Sequence, residues 1–187
     1  MAYLQSDIDQ LIQCPKRITK PPKRSHTEER QHKKNGIELA SLDGKLKFSA
    51  YFRQHSSFEE NYSVGLIYHA DDGTELTLMR CNGPHGEQSE IQTNNNNHHP
   101  YTHIHLANAT CIEAGLRADR YAVVSAACSS YQDAIRYFLT ATNIQGGEVY
   151  FPYLSQAVQT SYLSSEGENK DGNSVPRSTA HPTEQSY

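Results

Sequence analysis

The sequence predicts an α+β domain, namely a four- to five-stranded antiparallel sheet meander with an N-terminal helix and a C-terminal helix packed on one face. Apolar and polar residues alternate in several stretches, Gly-containing turns separate these stretches, and the apolar period becomes helical near both ends. The 187 residues suit one core, which we expect at 35–154. A helix and basic arm at 1–34 precede it, and a polar tail at 155–187, expected to be disordered, follows.

Each helix has its own signal. The first is predicted over residues 3–14 and ends at Pro15, and its apolar face is formed by Leu4, Ile8, Leu11 and Ile12. The second begins at Ser130, where Asp133 gives a variant of the capping box, and Gly146 stops it.

The strands follow from period-two alternation and from the turns between them. Asp43-Gly44 and Asp72-Gly73 predict two tight hairpins, so neighbouring strands should run antiparallel. Residues 82–100 form a long polar loop, which is typical of a functional or a disordered segment. The predicted strands lie near residues 37–39, 45–53, 62–68, 76–81 and 101–106.

Several classes of protein are excluded. No apolar run approaches 18 residues, and the first residues contain no apolar core of a signal peptide, so we expect neither a membrane span nor secretion. The four cysteines form no C-x-x-C pair, which favours reduced thiols in a cytoplasmic protein. Nucleotide-binding and serine-hydrolase motifs are absent from the sequence.

Positive charge is concentrated between residues 16 and 34, which hold eight of the 17 Lys and Arg residues and carry a net charge of +6. The rest of the chain carries −10, given the total of −4. Such a segment binds phosphate backbones or an acidic protein, or it is a solvated connector without a partner. We expect Lys20, Lys23 and Arg24 to bind RNA without selecting its sequence.

The histidines are also unevenly distributed, since five of the ten lie between residues 85 and 105. His103 and His105 are two apart on a predicted strand and therefore share a face. The preceding predicted strand ends near Arg80, and Asn82 and His85 follow it. If the two strands pair, all five side chains meet in one cleft.

Two chemistries suit this cluster. In metal-independent RNA cleavage, His103, His105 and His85 would transfer protons, Arg80 and Asn82 would hold the phosphate, and Tyr101 would stack on a base. Alternatively, His103 and His105 would bind a divalent transition metal such as zinc in a hydrolase, with a third ligand from His85, His98 or His99. A third interpretation leaves these histidines as ordinary surface residues.

The order of motifs resembles the TumE-type toxin family of bacterial toxin–antitoxin systems over roughly residues 45–145. The resemblance is carried by the strand Leu76-x-Leu78-x-Arg80-x-Asn82, a glycine turn, the His-x-His pair and the helix that begins at Ser130. It implies a small α+β toxin that acts on RNA and is neutralised by a cognate antitoxin, with polar family positions at Arg80, Asn82, His103 and His105. The 17-residue run between His85 and His103, the basic arm and the polar tail are additions to that pattern.

A different class of function also fits the composition. The −10 charge outside the basic arm suits a non-enzymatic interaction or inhibitor protein of a mobile element, which would bind a basic partner. The sequence leaves the oligomeric state open.

Overall fold

The computed structural model describes residues 3–85, 100–152 and 154. Within these residues the chain forms a nine-stranded mixed sheet and three α-helices, which are α1 (Gln5–Gln13), α2 (Ala109–Glu113) and α3 (Tyr131–Ala141). The strands are β1 (Lys16–Lys20), β2 (Thr27–Glu29), β3 (His32–Ser41), β4 (Lys47–His55), β5 (Tyr62–His69), β6 (Glu75–Asn82), β7 (His103–Leu106), β8 (Ala122–Val124) and β9 (Ile144–Gln145).

The strand order is β8-β7-β6-β5-β4-β3-β1-β9, and β2 pairs with β3 beside this path. Strand β1 pairs with β9 in parallel, whereas the other pairs are antiparallel. The central strands β3 to β7 therefore form a meander, and the sheet as a whole is mixed.

The predicted four- to five-stranded antiparallel meander is wrong, because the sheet has nine strands among the described residues. The five strands expected from alternation correspond to β3–β7, and the four additional strands are only two to five residues long. The three residues of β2 are all exposed, and β1 has the sequence KRITK. Such short polar segments lack an apolar alternation, and pairing with neighbouring strands decides their conformation.

Both longer helices pack on the same apolar core as the sheet. Helix α1 buries Ile8, Leu11 and Ile12. Helix α3 begins at the predicted cap, Ser130, whose hydroxyl accepts a hydrogen bond from the Asp133 amide at 3.1 Å. The apolar face of the central strands and the buried face of α3 supply the largest core side chains, including Phe48, Phe52, Leu66, Leu78, Ile135 and Phe138.

A buried lysine joins the two helix ends. The ammonium group of Lys16, at the start of β1, donates to the carbonyl oxygens of Ile12 at 2.7 Å, Cys14 at 2.8 Å and Thr142 at 3.0 Å. It also lies 4.8 Å from the ring centre of Phe48. The carbonyl ends of helices carry partial negative charge, which favours a cation there. Burial nevertheless lowers the pKa of Lys16 from its ordinary value.

Three further predictions concern the polar loop and tail, the cysteines and a membrane span. Most of the expected polar loop, at 86–99, and all of the expected tail, at 155–187, lie outside the described residues. The four cysteines are free thiols. The described residues include no helix that is long and apolar enough to cross a membrane.

Candidate functional site

The face of the central sheet opposite α1 and α3 carries two adjacent rows of side chains, and we call it the polar face. Because residues two apart on a strand point the same way, the strand register defines the rows. The first row crosses β3 to β7 through Lys34, Arg53, Ser63, Asn82 and His103. The second row crosses the same strands through Gly36, Tyr51, Gly65, Arg80 and His105.

The pairing of β6 with β7 assembles the predicted cluster. Arg80 lies directly opposite His105, and Asn82 lies opposite His103, so the two strands do pair, which was the condition for the cluster. His85 follows β6 after a short turn, and its ring centre lies 5.1 Å from that of His103. The structure thus brings together all five side chains of the cluster, while their chemical roles stay predictions.

His103 is fully buried, and both of its ring nitrogens are hydrogen-bonded. Its Nδ1 lies 2.8 Å from the carbonyl oxygen of Tyr101, which can only accept, so Nδ1 carries a proton. The Asn82 amide donates to Nε2 at 3.1 Å, and Ser63 donates to the Asn82 oxygen at 2.7 Å. This arrangement corresponds to a neutral imidazole held in one orientation.

The three imidazoles of the cluster are in ring contact. His105 is 4% exposed, and its ring centre lies 5.0 Å from that of His103 in an edge-to-face arrangement. His85 is half-buried, and its ring also contacts that of His103. His103 is thus the ring that contacts both of the others.

A buried carboxylate fixes the guanidinium of the cluster. Asp119 lies in the segment between α2 and β8, with its side chain 3% exposed, and one of its oxygens is 3.1 Å from the Arg80 guanidinium. Arg117 binds the same carboxylate through two nitrogens. The Nε atom of Arg80 is shielded from solvent and donates to no described residue. A buried donor without an acceptor costs free energy, so this nitrogen would gain from an acceptor placed beside it.

Beside Arg80, the polar face contains a cleft of about 370 Å³ whose polar lining includes Lys34, Arg53, Ser63 and Tyr51. The ring of Tyr51 lies over Gly65, where a Cβ atom would come within 2.5 Å of it. The Tyr51 hydroxyl lies 3.4 Å from Ser63 Oγ, and burial raises the pKa of Tyr51. Three cationic side chains therefore surround a space large enough for a small anionic ligand.

The sequence predicted part of this site and missed part of it. Alternation indicated that Tyr51 and Arg53 face away from the core, but only the cross-strand register aligns them with Arg80. Asp119 carries no local signal, because it follows an alanine-rich segment without a recognisable motif.

Other predicted RNA-binding residues lie elsewhere. Lys20 is on β1, which is five strand spacings from β7, or about 24 Å along the sheet. It forms an exposed ion pair with Glu38 at 2.7 Å, and Lys23 and Arg24 follow β1 as exposed residues. Tyr101 is 58% exposed and contacts the cluster through its backbone carbonyl.

The metal alternative has no matching geometry in the part of the chain that the structure describes, where no group of three or more His, Cys, Asp or Glu residues is arranged to hold an ion. Comparison with family models, curated proteins and solved structures found no match to this chain.

Proposed function

We propose that the polar face binds single-stranded RNA and that its histidines cleave the RNA without a metal ion, in the manner of a cytoplasmic ribonuclease-like toxin. The observation that supports this most directly is the position of Arg80, which lies opposite His105 and lines the cationic cleft. In phosphodiester cleavage, a guanidinium can bind the phosphate while an imidazole beside it transfers a proton.

Phosphate binding is supported by the charges around the cleft. Arg53 forms no ion pair among the described residues, and the ion pair of Lys34 with Glu29, at 2.9 Å, is exposed. Exposed pairs of this kind contribute little and exchange readily for a phosphate. Arg80 adds the buried Nε donor, and its Nη2 atom stays fixed by Asp119.

The proposed chemistry divides the histidines by role. One imidazole accepts the proton of the 2′-hydroxyl, whose oxygen attacks phosphorus. The bond to the 5′-oxygen breaks, that oxygen takes a proton from a second imidazole, and a 2′,3′-cyclic phosphate remains. We assign the proton transfers to His105 and His85. His103 is a positioning residue, because both of its nitrogens are hydrogen-bonded to the protein.

The first test measures cleavage and binding of a labelled single-stranded RNA in excess EDTA. His85→Ala and His105→Ala should each slow cleavage by about 10²- to 10⁴-fold while binding is retained. A 2′-deoxy oligonucleotide of the same sequence should bind without being cut, because it lacks the attacking hydroxyl. Unchanged cleavage in the double variant would remove both histidines from the mechanism.

The second test measures phosphate binding by titration at several salt concentrations. Arg53→Ala should weaken RNA binding and reduce the magnitude of the salt slope by about one. Lys45→Ala is the matched control, since Lys45 also carries one positive charge but lies exposed in the turn between β3 and β4. Equal effects of the two substitutions would show that the cleft is not the phosphate site.

A cellular test addresses the toxin assignment, which also implies a cognate antitoxin. Induced expression of the native chain should arrest bacterial growth, and the His85→Ala/His105→Ala variant at equal abundance should not. Arrest by both proteins would separate growth inhibition from RNA cleavage.

A further inference from the structure

A second concave surface lies on the other side of the sheet and plays no part in the proposed RNA chemistry. This groove of about 1,070 Å³ runs between α1 and the turn that joins β5 to β6. Its apolar floor includes Leu11, Leu46 and Tyr68, and Tyr68 packs against the core residue Phe48 with ring centres 5.4 Å apart. The groove is thus an incompletely covered part of the apolar face of the sheet.

Carboxylates line both sides of this groove. Asp7 and Asp9 project from α1, and Asp71 and Asp72 project from the opposite turn. None of the four takes part in an ion pair among the described residues, and no Lys, Arg or His lines the groove. All four are exposed, so an apolar floor lies between two rows of solvated negative charge.

The position of the groove determines how a partner binds. Its lining includes Tyr68 of β5 and Leu46, which directly precedes β4, and both of these strands already have a neighbour on both sides. A bound segment therefore finds no free strand edge for backbone pairing and must be recognised through its side chains. An amphipathic helix lying in a groove meets that requirement, because its own backbone hydrogen bonds are internal.

The carboxylates on the two rims of the groove, Asp7 and Asp9 on one side and Asp71 and Asp72 on the other, favour an occupant with positive charge. Residues 155–187 of this chain contain four acidic and two basic residues, so their net charge is −2 and they do not complement four carboxylates. We propose that the groove binds an amphipathic helix of a partner protein, with apolar side chains on the floor and Lys or Arg side chains against Asp7, Asp9, Asp71 and Asp72. This interaction is independent of the RNA chemistry on the polar face.

The test uses the full chain and three labelled synthetic peptides of equal length, with binding followed by fluorescence anisotropy. One peptide forms a Leu/Lys amphipathic helix, the second replaces Lys by Glu, and the third is a scrambled Leu/Lys sequence without an apolar stripe. The first should bind, with affinity falling as salt is added, and the other two should bind at least tenfold more weakly. Chemical-shift changes should concentrate at Tyr68 and Ala70.

A matched pair of variants locates the interaction. Asp9→Asn/Asp71→Asn removes two rim charges and should raise the dissociation constant for the Leu/Lys helix by about five- to tenfold. Glu59→Gln/Glu60→Gln removes two charges from the exposed loop between β4 and β5 and should leave it unchanged. Asparagine at position 9 preserves the oxygen that accepts from Gln5 at 2.9 Å, so α1 keeps that contact.

Other outcomes overturn the inference. These are comparable binding of the Leu/Glu helix, equal effects of the two double variants, or the absence of Leu/Lys binding. A concentration-dependent dimer that Asp9→Asn/Asp71→Asn dissociates would identify the occupant as a second copy of this chain instead. Because the rim substitutions should not change RNA cleavage or binding, failure here is distinguishable from failure of the proposed function.

Discussion

Replacing Lys16 by methionine removes the ammonium group that joins the ends of α1 and α3. The substitution leaves three carbonyl oxygens, of Ile12, Cys14 and Thr142, without their donor. Each buried acceptor left in this way costs about 1–3 kcal/mol, and part of that loss is offset because a charge no longer has to be buried. We expect a net destabilisation of about 3 kcal/mol, a large fraction of the 5–15 kcal/mol typical of a domain.

Urea denaturation followed by circular dichroism measures this effect as a shift in midpoint at constant slope. Lys45→Met is the control, because Lys45 is exposed and its substitution should change the free energy of unfolding by less than about 0.5 kcal/mol.

The pH dependence adds a second readout. Burial lowers the pKa of Lys16 below its ordinary value of 10.5, so the unfolded chain binds more protons between the two pKa values.

The stability of the native protein should therefore rise relative to Lys16→Met as the pH increases towards 10.5. Equal stability of Lys16→Met and the native protein at neutral pH would refute the claim that this ammonium joins the two helices.

Three further predictions concern local contacts. Hydrogen bonds from Ser130 and its neighbours lower the pKa of Asp133. The stability lost in Asp133→Asn should therefore be full above pH 3.8 and should vanish as the pH falls through the folded pKa. Thermal melts measure this difference in stability, and a difference that does not change with pH would contradict the prediction. Gln31 has a φ of 63°, a left-handed conformation that is strained for a residue with a side chain. Gln31→Gly should therefore stabilise the β2–β3 turn by up to about 1 kcal/mol in urea titrations, and a loss of stability would show that this strain is not significant. Gly65→Ala should cost about 1–3 kcal/mol because its Cβ meets Tyr51, and that cost should largely disappear in a Tyr51→Ala background if this contact is the cause.

Local signals predicted the parts of the fold that are long and regular. Helix α3 begins at Ser130 as expected, and β4 keeps the alternation that places Phe48, Ala50 and Phe52 in the core. The short strands were not predictable, because two residues such as Ile144–Gln145 carry no period of their own. The role of Lys16 was missed for a related reason, since a lysine in a basic run gives no indication that the chain will bury it.

The candidate site shows the same division. The i, i+2 spacing of His103 and His105, with Arg80 and Asn82 on the preceding strand, predicted one shared cluster only on the condition that the two strands pair, which they do. Asp119 could not be predicted, because its contact with Arg80 joins residues 39 positions apart and depends on how the segment after α2 packs. Sequence patterns reveal which face a strand residue occupies, whereas contacts between distant segments require the register and the packed loops.

The pairing of β1 with β9 links the beginning of the fold to its end. Lys16 reaches Thr142 across 126 positions of sequence, and the backbone of the same strand pairs with Ile144–Gln145. During translation, β1 therefore cannot form its parallel pair until Ile144–Gln145 has left the ribosome. A chain shortened before residue 142 would lose both the parallel strand pair and one acceptor of the buried ammonium, so stability depends on synthesis reaching this last strand.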